Sequence, residues 1–367
     1  MSLHEPCLLL SMITPRDEVD PEERIDEMTA LIETRGGRVV DVFTQKREHP
    51  DPGHYFGRGK IEEIAAFLEQ TPEITTIIVD SFLSPVQQRN LEEDFGRTVM
   101  DREELILEIF ARHAQTREAR LQVELAELEY LLPRLRNLWP HLTGQQGGFN
   151  FRGPGETQLE TDRRAITRRI AALKKKLLHI EKIRGTQRKG RSRAFKVSIV
   201  GYTNAGKSSL LSLLCGKPLY VENKLFATLD TTVKKVFFPG TGEVLLSDTV
   251  GFIRNLPHHL VASFKSTLEE LLYSDLILEV VDISSPVYRQ KMDVVDQVLR
   301  ELGAGDKPRL RAFNKCDLLT DEELSALESQ FKQSEDALFI SVLEKKNIEE
   351  LKESIALRAG NKGHGSY

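Results

Sequence analysis

The chain has 367 residues, of which 40% are hydrophobic and 29% charged, and its formal net charge is −5. This length predicts two or three domains, and the composition excludes a disordered or collagen-like chain. The three cysteines, Cys7, Cys215 and Cys316, are too far apart in sequence for a disulfide framework or a metal-ligand motif. No apolar run reaches the roughly 18 residues of a membrane span, so we expect a cytoplasmic protein without one.

The net charge conceals one strongly basic segment. Residues 163–193 contain thirteen Lys or Arg and a single Glu, a net charge of +12, which leaves −17 for the rest of the chain. A solvated helix face usually mixes both signs. The segment therefore favours a surface that faces a polyanion such as nucleic acid.

Short apolar runs alternate with amphipathic stretches over residues 1–101. Strands separated by helices imply βαβ crossovers and a mainly parallel sheet, so we predict an N-terminal α/β domain. The predicted strands are Cys7–Met12, Arg38–Phe43, Ile77–Asp80 and Thr98–Met100. The predicted helices between them are Pro21–Thr34, Gly59–Gln70 and Pro85–Phe95.

Residues 102–193 have a different pattern, a long helical stretch from Arg102 with leucines every three or four positions from Leu121 to Leu138. A second apolar stripe runs from Leu159 to Ile180. Two such helices most simply form an antiparallel hairpin, and a dimeric coiled coil is the alternative. Pro133 should kink or weaken the first helix. After Ile183 the apolar period stops, and residues 184–193 are predicted to form a basic linker.

The connection between these helices, residues 144–155, is rich in glycine and carries aromatic and basic side chains. Aromatic rings can stack on unpaired bases and arginine can contact phosphates, although the connection could also be an unstructured tip. The candidate RNA contacts in the connection and the basic segment are Phe149, Phe151, Arg152, Arg163, Arg164, Lys174, Lys175 and Lys176.

A phosphate-binding pattern, GxxxxGK[ST], follows the apolar run Lys196–Val200 and precedes a helical stretch. Its backbone N–H groups and the helix N-terminus would face phosphates. Lys207 would neutralise the β and γ phosphates and Ser208 would bind Mg²⁺. The nucleotide contacts predicted here are Gly201, Tyr202, Thr203, Asn204, Ala205, Gly206, Lys207, Ser208 and Ser209.

Two downstream segments supply the remaining parts of a phosphate site. Asp248 ends an apolar run and can reach the metal ion through water, while the Gly251 N–H can contact the γ-phosphate. Residues 226–232 offer hydroxyls for a switch that closes on Mg²⁺. The predicted contacts in these segments are Phe226, Ala227, Thr228, Asp248, Thr249, Val250 and Gly251, among which Thr228 and Gly251 join Lys207 as catalytic candidates.

The motif Asn314-Lys315-Cys316-Asp317 follows another predicted strand. An aspartate there can accept hydrogen bonds from N1–H and the 2-amino group of guanine, which adenine cannot supply. Ser341, Val342 and Leu343 would cradle the base. Together the motifs predict a guanine-nucleotide α/β domain over residues 194–359, with a mostly parallel six-stranded sheet, a last helix over Asn347–Leu357 and a flexible tail over 360–367.

Longer stretches are more specific than these motifs: YFGRGK at 55–60, LQVELAELEYLLPRL at 121–135, GPGETQLETDRR at 153–164, FATLD at 226–230 and DTVGFI at 248–253. On these residues the chain resembles the HflX-type GTPases over most of its length. The resemblance implies a GTP/GDP switch that binds the large ribosomal subunit and its rRNA and splits ribosomes in the GTP state. We expect a monomer. The resemblance also implies that Thr228, or alternatively Thr231 or Thr232, binds Mg²⁺. Asn204 matches a residue that helps to hold K⁺ in related GTPases, and a role in shaping the loop is the alternative.

Some positions depart from the common GTPase pattern or leave alternatives open. Phe252 stands where many GTPases place a water-orienting glutamine, so we predict slow hydrolysis that a partner accelerates. Val342 replaces the usual alanine, which should not prevent guanine binding. Gly57–Lys60 suggests a second nucleotide site, but an rRNA contact or a helix cap is favoured. An RNA-dependent ATPase, or a signalling GTPase whose hairpin binds a protein, are the alternative functions.

Overall fold

The computed structural model describes residues 4–15, 20–135, 154–189, 194–217, 225–226, 232–238, 242–255, 270–331 and 336–363. The chain divides into two compact units. The first comprises residues 1–112 and 120–178, and the second comprises residues 113–119 and 179–367. No helix in these described ranges is long and apolar enough to cross a membrane.

The N-terminal sheet contains β1 (Glu5–Ile13), β2 (Gly37–Lys46), β3 (Thr76–Val79) and β4 (Thr98–Asp101) in the order β2-β1-β3-β4. All three pairings are parallel, as predicted. The helices α1 (Pro21–Arg35), α2 (Arg58–Gln70) and α3 (Pro85–Phe95) lie between successive strands. Each predicted element is present, with its ends shifted by at most three residues.

Local signals explain where these helices begin and end. The Asp20 side chain accepts a hydrogen bond from Glu22 N–H at the start of α1, and Gly36 ends that helix with a φ of 97°. Ser84 and Gln87 form a capping box at the start of α3. The apolar side chains of these strands and helices form a buried core that includes Leu8, Leu10, Ile64, Ile77 and Val99.

The helical stretch predicted from Arg102 is not continuous. It consists of α4 (Arg102–His113) and α5 (Arg117–Arg134), and a third helix, α6, spans Pro154–Lys189. The prediction of a basic linker from residue 184 is wrong, because α6 continues as far as Lys189. Thr116 Oγ1 accepts a hydrogen bond from Ala119 N–H at 3.1 Å, so a hydroxyl cap starts a new helix at this point. Pro133 lies in the last turn of α5, where one lost backbone hydrogen bond is tolerated.

The two predicted leucine stripes pack on each other. Leu125 of α5 and Leu173 of α6 are buried in one cluster, to which Leu121, Leu128, Leu132, Ile166, Ile170 and Leu177 contribute. Two ion pairs accompany it, with Arg169 Nε 2.6 Å from Glu124 and Lys174 Nζ 2.7 Å from Glu129. The packing is that of a helical pair. The connection over residues 136–153 lies outside the described residues, and the last two residues of the predicted tip, Pro154 and Gly155, belong to α6.

The second sheet contains β5 (Phe195–Val200), β6 (Thr232–Phe238), β7 (Gly242–Asp248), β8 (Leu276–Asp282), β9 (Arg309–Asn314) and β10 (Ala337–Phe339). Their order is β10-β9-β8-β5-β7-β6, and within this described sheet only the pairing of β6 with β7 is antiparallel. The predicted mostly parallel six-stranded sheet is therefore confirmed. Its loops at the carboxyl ends of β5, β7 and β9 carry the predicted nucleotide motifs.

The helices of this unit are α7 (Lys207–Leu214), α8 (Tyr288–Glu301), α9 (Asp321–Phe331) and α10 (Ile348–Gly363), with a 3₁₀ turn at Cys316–Leu318. The prediction that the last helix ends at Leu357 is wrong. Leu351 and Ile355 are fully buried, and Ala359 packs against the same core, so the apolar face holds the helix beyond Leu357.

Candidate nucleotide site

The phosphate loop occupies residues 201–206, between the end of β5 and the start of α7. Gly201 has a φ of 148°, and a Cβ there would collide with the carbonyl oxygen of Val280 on β8. Gly206 has a φ of 97°, and a Cβ there would collide with the Asn314 amide. Both positions require glycine, because the loop turns sharply against its neighbours.

Lys207 places a cation in the centre of this loop. The residue is 6% exposed, and its ammonium group donates a hydrogen bond of 2.7 Å to the Tyr202 carbonyl oxygen. Burial lowers the pKa of Lys207 to about 8, although the Asp248 carboxylate favours the charged form. A buried cation held mainly by a backbone carbonyl is suited to a phosphate ligand.

Ser208 and Asp248 come together at the start of α7 and the end of β7. Ser208 Oγ donates a hydrogen bond of 2.7 Å to Asp248 Oδ2, and Asp248 is 2% exposed. A hydroxyl beside a carboxylate fits Mg²⁺, which takes few protein ligands and completes its shell with phosphates and water. In the described part of the chain no group of three or more His, Cys, Asp or Glu could hold a metal ion by itself.

The segment after Asp248 is hydrogen-bonded to the phosphate loop. Thr203 N–H donates to the Phe252 carbonyl at 2.8 Å, and Phe252 N–H donates to the Gly201 carbonyl at 3.1 Å. Arg254 N–H donates to the Tyr202 hydroxyl at 3.0 Å. These bonds hold Gly251 beside the loop. A Cβ added at Gly251 would lie only 3.0 Å from Lys207 Nζ. Thr249 is fully buried and its hydroxyl donates to the Ile199 carbonyl at 2.8 Å.

Asn314 joins the two loops of the base site to the phosphate loop. Its amide Nδ2 donates to the Ala205 carbonyl at 2.9 Å, and its Oδ1 accepts from Val342 N–H at 3.0 Å. The residues predicted to bind phosphates and those predicted to bind the base are therefore parts of one connected site.

The other predicted base contacts surround this junction. Asp317 Oδ1 is buried and has no hydrogen-bond partner among the residues that the structure describes. Ser341 is fully buried, and its hydroxyl accepts from Glu344 N–H at 3.0 Å, which fixes the loop that carries Val342 and the 68% exposed Leu343. The arrangement leaves a carboxylate oxygen able to accept from a guanine N–H.

Lys315 shows what the sequence interpretation missed. Its Nζ lies 2.6 Å from Asp282 Oδ2, and the backbone of Lys315 is left-handed, with a φ of 66°. Asp282 ends β8, directly after the apolar run of that strand. An acidic residue at a strand end on the same sheet edge as the motifs was the available signal for this orienting ion pair.

For several other predicted site residues, the structure shows where the residue lies, or does not describe the residue. Asn204 is exposed and left-handed, and Ser209 lies half-buried in the first turn of α7. Phe226 is 2% exposed, and Thr232 lies opposite Asp248 in the β6–β7 pairing. Ala227, Thr228 and Thr231 lie outside the described residues, as do Phe149, Phe151 and Arg152 of the predicted hairpin tip.

Three family models match successive parts of the chain. The model described as GTP-binding GTPase N-terminal matches residues 22–111, and GTP-binding GTPase Middle Region matches residues 113–191. The model described as 50S ribosome-binding GTPase matches residues 196–315.

Similar proteins extend these matches over nearly the whole chain. A GTPase HflX from Caldanaerobacter subterraneus is 48% identical over 86% of this chain and 73% of its own length. A GTPase HflX from Flavobacterium psychrophilum is 44% identical over 96% of this chain and 89% of its own length.

Among solved structures, a GTP-binding protein from the hyperthermophilic archaeon Sulfolobus solfataricus in complex with GDP is 28% identical, with a TM-score of 0.51. That match covers 97% of this chain and 99% of the other. The identities, the three matched regions and the geometry of the nucleotide site agree, and the chain belongs to the HflX family of GTPases.

Proposed function

We propose that this GTPase binds the large ribosomal subunit through rRNA, and that it promotes ribosome dissociation while GTP is bound. The observation that carries the proposal is the cationic face of α6. The described side chains over residues 160–183 include eight Lys or Arg, and all eight are exposed: Arg163, Arg164, Arg168, Arg169, Lys174, Lys175, Lys176 and Lys182. The match to a model described as a 50S ribosome-binding GTPase supports the same partner.

Ion pairing leaves part of this cationic face available. Arg164 pairs with Glu160, and Lys174 pairs with Glu129, each at 2.7 Å. Lys175 and Lys176 make no ion pair with any described residue. Contacts of such cations with phosphates release counterions, so affinity for the ribosome should fall steeply as salt concentration rises.

The nucleotide site provides the switch. Lys207 and the Gly251 N–H would bind the γ-phosphate, while Asp317 would read guanine. Ser208, Asp248 and Thr228 would hold Mg²⁺, which offsets phosphate charge when bound, and Asn204 would help to hold K⁺. Phe252 is 1% exposed and its ring cannot hydrogen-bond to water. We therefore infer that hydrolysis is slow until the ribosome orders the site, and that hydrolysis then releases the protein.

Co-sedimentation tests the proposal directly. The protein is centrifuged through gradients with ribosomes or isolated subunits, in the presence of GDP, GTP or a non-hydrolysable GTP analogue. We expect binding to the large subunit with the GTP-like ligands, and conversion of whole ribosomes to subunits. Equal binding in all nucleotide states would contradict the switch.

A pair of charge reversals tests the surface. Lys175→Glu should weaken subunit binding, whereas Arg300→Glu, an exposed cation on α8, is the matched control. Unchanged binding of the Lys175→Glu variant would contradict the assignment of α6 and favour a protein partner for the helical pair. Competition by ATP as strong as that by GTP would favour an ATPase instead.

A further inference from the structure

We propose that Thr203 is a catalytic residue for GTP hydrolysis, whose hydroxyl supplies from the phosphate loop the polar contact that Phe252 cannot supply. The proposal rests on the proposed assignment of Lys207 and Gly251 to the γ-phosphate. It adds a group that directly contacts the attacking water and the phosphate.

The position of Thr203 follows from the packing around Gly251. A Cβ on Gly251 would stand 2.9 Å from Thr203 Cγ2 and 3.0 Å from Lys207 Nζ. The Thr203 side chain, the Lys207 ammonium and the Gly251 backbone therefore meet at one point. Because the latter two groups are the proposed γ-phosphate contacts, the Thr203 side chain borders the same phosphate.

The hydroxyl of Thr203 is not held elsewhere by a described hydrogen bond. Thr203 is 7% exposed, and its Oγ1 is a buried oxygen without a hydrogen-bond partner in the described residues. The neighbouring hydroxyls differ, since Thr249 donates to a backbone carbonyl and Ser208 donates to Asp248. A buried hydroxyl without a partner destabilises a fold, which makes a ligand that completes it a reasonable explanation.

The loop geometry keeps the residue in place while its side chain can turn. Thr203 N–H is bonded to the Phe252 carbonyl at 2.8 Å, so the backbone is held against the segment that carries Gly251. A rotation about χ1 exchanges Oγ1 with Cγ2, the atom beside Gly251. The hydroxyl can thus occupy the position next to the γ-phosphate.

A threonine hydroxyl both donates and accepts, which suits the reaction. It would accept a hydrogen bond from the attacking water and donate one to a γ-phosphate oxygen. The water oxygen bonds to the γ-phosphorus while the bond from that phosphorus to the β–γ bridging oxygen breaks, and its electron pair leaves with GDP. One water proton stays on the attacking oxygen and the other passes to a γ-phosphate oxygen, so the phosphate product carries both and Thr203 is unchanged.

Two variants distinguish a catalytic role of the Thr203 hydroxyl from a structural role in the loop: Thr203→Val removes the hydroxyl and Thr203→Ser keeps it. Single-turnover hydrolysis is measured with and without large ribosomal subunits, beside the affinities for GDP and a non-hydrolysable GTP analogue. We expect Thr203→Val to hydrolyse about 100- to 1,000-fold more slowly at unchanged affinities, as when one transition-state contact is removed. Thr203→Ser should keep nearly the full rate. Thr98→Val, the same exchange at an exposed position of β4 in the N-terminal sheet, is the control.

Three results would overturn the proposal: a wild-type rate for Thr203→Val, equal losses in the Val and Ser variants, or a matching loss of GDP affinity. If the valine disturbs the fold, Thr203→Ala against Thr203→Ser gives the same comparison. Failure of the underlying site assignment is distinguishable, because it would appear as normal nucleotide affinity of a Lys207→Met variant with Thr203 intact.

Discussion

The two sheets differ in how the polar side chains at the carboxyl ends of their parallel strands are paired. In the N-terminal sheet, Asp80 follows β3 and is met by two arginines, with Arg24 and Arg102 each 2.9 Å from its carboxylate. Asp101 ends β4, and its side chain accepts hydrogen bonds from Arg134 at 2.9 Å and from the Tyr130 hydroxyl at 3.2 Å. The acidic side chains of this edge are paired with other side chains of the protein.

The edge of the GTPase sheet is only partly paired: Asp282 pairs with Lys315 and Asp248 accepts a hydrogen bond from Ser208, but other polar groups in the described part of the chain lack such partners. Asp317 Oδ1 and Thr203 Oγ1 are buried without hydrogen-bond partners among the described residues, and the Lys207 ammonium is held by a backbone carbonyl. Buried polar groups are ordinarily satisfied, so those that are not satisfied call for an explanation. We expect the nucleotide to supply partners for these groups, whereas the paired aspartates of the N-terminal sheet join its strands to the neighbouring helices.

The largest effect is expected when the ion pairs at the carboxyl edge of the N-terminal sheet are removed. Arg102 is 3% exposed and bonds both Asp80 and Glu27, so Arg102→Leu leaves buried carboxylates without this partner. We expect a loss of about 3–5 kcal/mol in the free energy of unfolding of the N-terminal unit, measured by urea denaturation. GDP affinity should not change, and a parallel fall in both would contradict the comparison. Arg58→Leu, at a side chain that is 93% exposed, is the control.

The next largest effect is expected when the cation at the carboxyl edge of the GTPase sheet is removed. Lys207→Met removes the buried cation, and we expect nucleotide affinity and hydrolysis to fall roughly 100-fold or more. The nucleotide-free protein should not lose stability, because a charge that is costly to bury is replaced by an apolar chain of similar length. Calorimetric titration with GDP and thermal unfolding measure the two quantities. A large loss of stability would mean that Lys207 is a structural residue.

Lys60→Met is the matched control for that substitution. Lys60 belongs to the Gly57–Lys60 stretch that suggested a second nucleotide site, but its ammonium pairs with Glu63 at 2.7 Å and lies 5.6 Å from the centre of the Phe43 ring. Arg58 pairs with Glu62 at 3.3 Å. These local pairs fit a helix entry, so GDP and ATP binding should be the same in the Lys60→Met variant as in the wild type.

The sequence allowed the parallel character of both sheets and the ends of α1, α2 and α3 to be predicted, because strand runs, capping residues and glycines act locally. It did not reveal the break before α5, where the hydroxyl of Thr116 competes with a continuous apolar pattern. Nor could it show that the Asp80 carboxylate is paired while Asp317 Oδ1 is not, because both aspartates follow apolar strands. That difference depends on side chains from distant positions, such as Arg24 and Arg102, which pattern alone does not bring together.

A smaller effect tests whether Asp317, at the carboxyl edge of the GTPase sheet, binds the guanine base. Asp317→Asn replaces a charged acceptor by an amide, so we expect GTP affinity to fall about 10- to 100-fold, the range for a hydrogen bond to a charged group. Xanthosine triphosphate has a 2-oxo group in place of the 2-amino group, and the variant should gain affinity for it. Competition binding with both nucleotides measures the change. Equal losses for the two would contradict base recognition by Asp317.

The smallest effect is a pH dependence that arises from Lys207 alone. Burial lowers its pKa from 10.5 to about 8 in the nucleotide-free protein, and phosphates should raise it again in the complex. Below about pH 8 the amine is charged in both states and affinity is at its maximum. Above that pH the free protein must take up a proton to bind, so affinity falls.

We therefore expect GDP affinity to decrease by about tenfold between pH 7 and pH 9, because one pKa unit corresponds to one tenfold change. Titration calorimetry in buffers of different ionisation enthalpy should show proton uptake on binding at pH 9 and almost none at pH 7. Lys207→Met supplies the baseline for titration of guanine itself and should lack this proton uptake. A wild-type affinity that does not change over this range would mean that nucleotide binding does not raise the pKa of Lys207, and would contradict a direct contact between its ammonium and the phosphates.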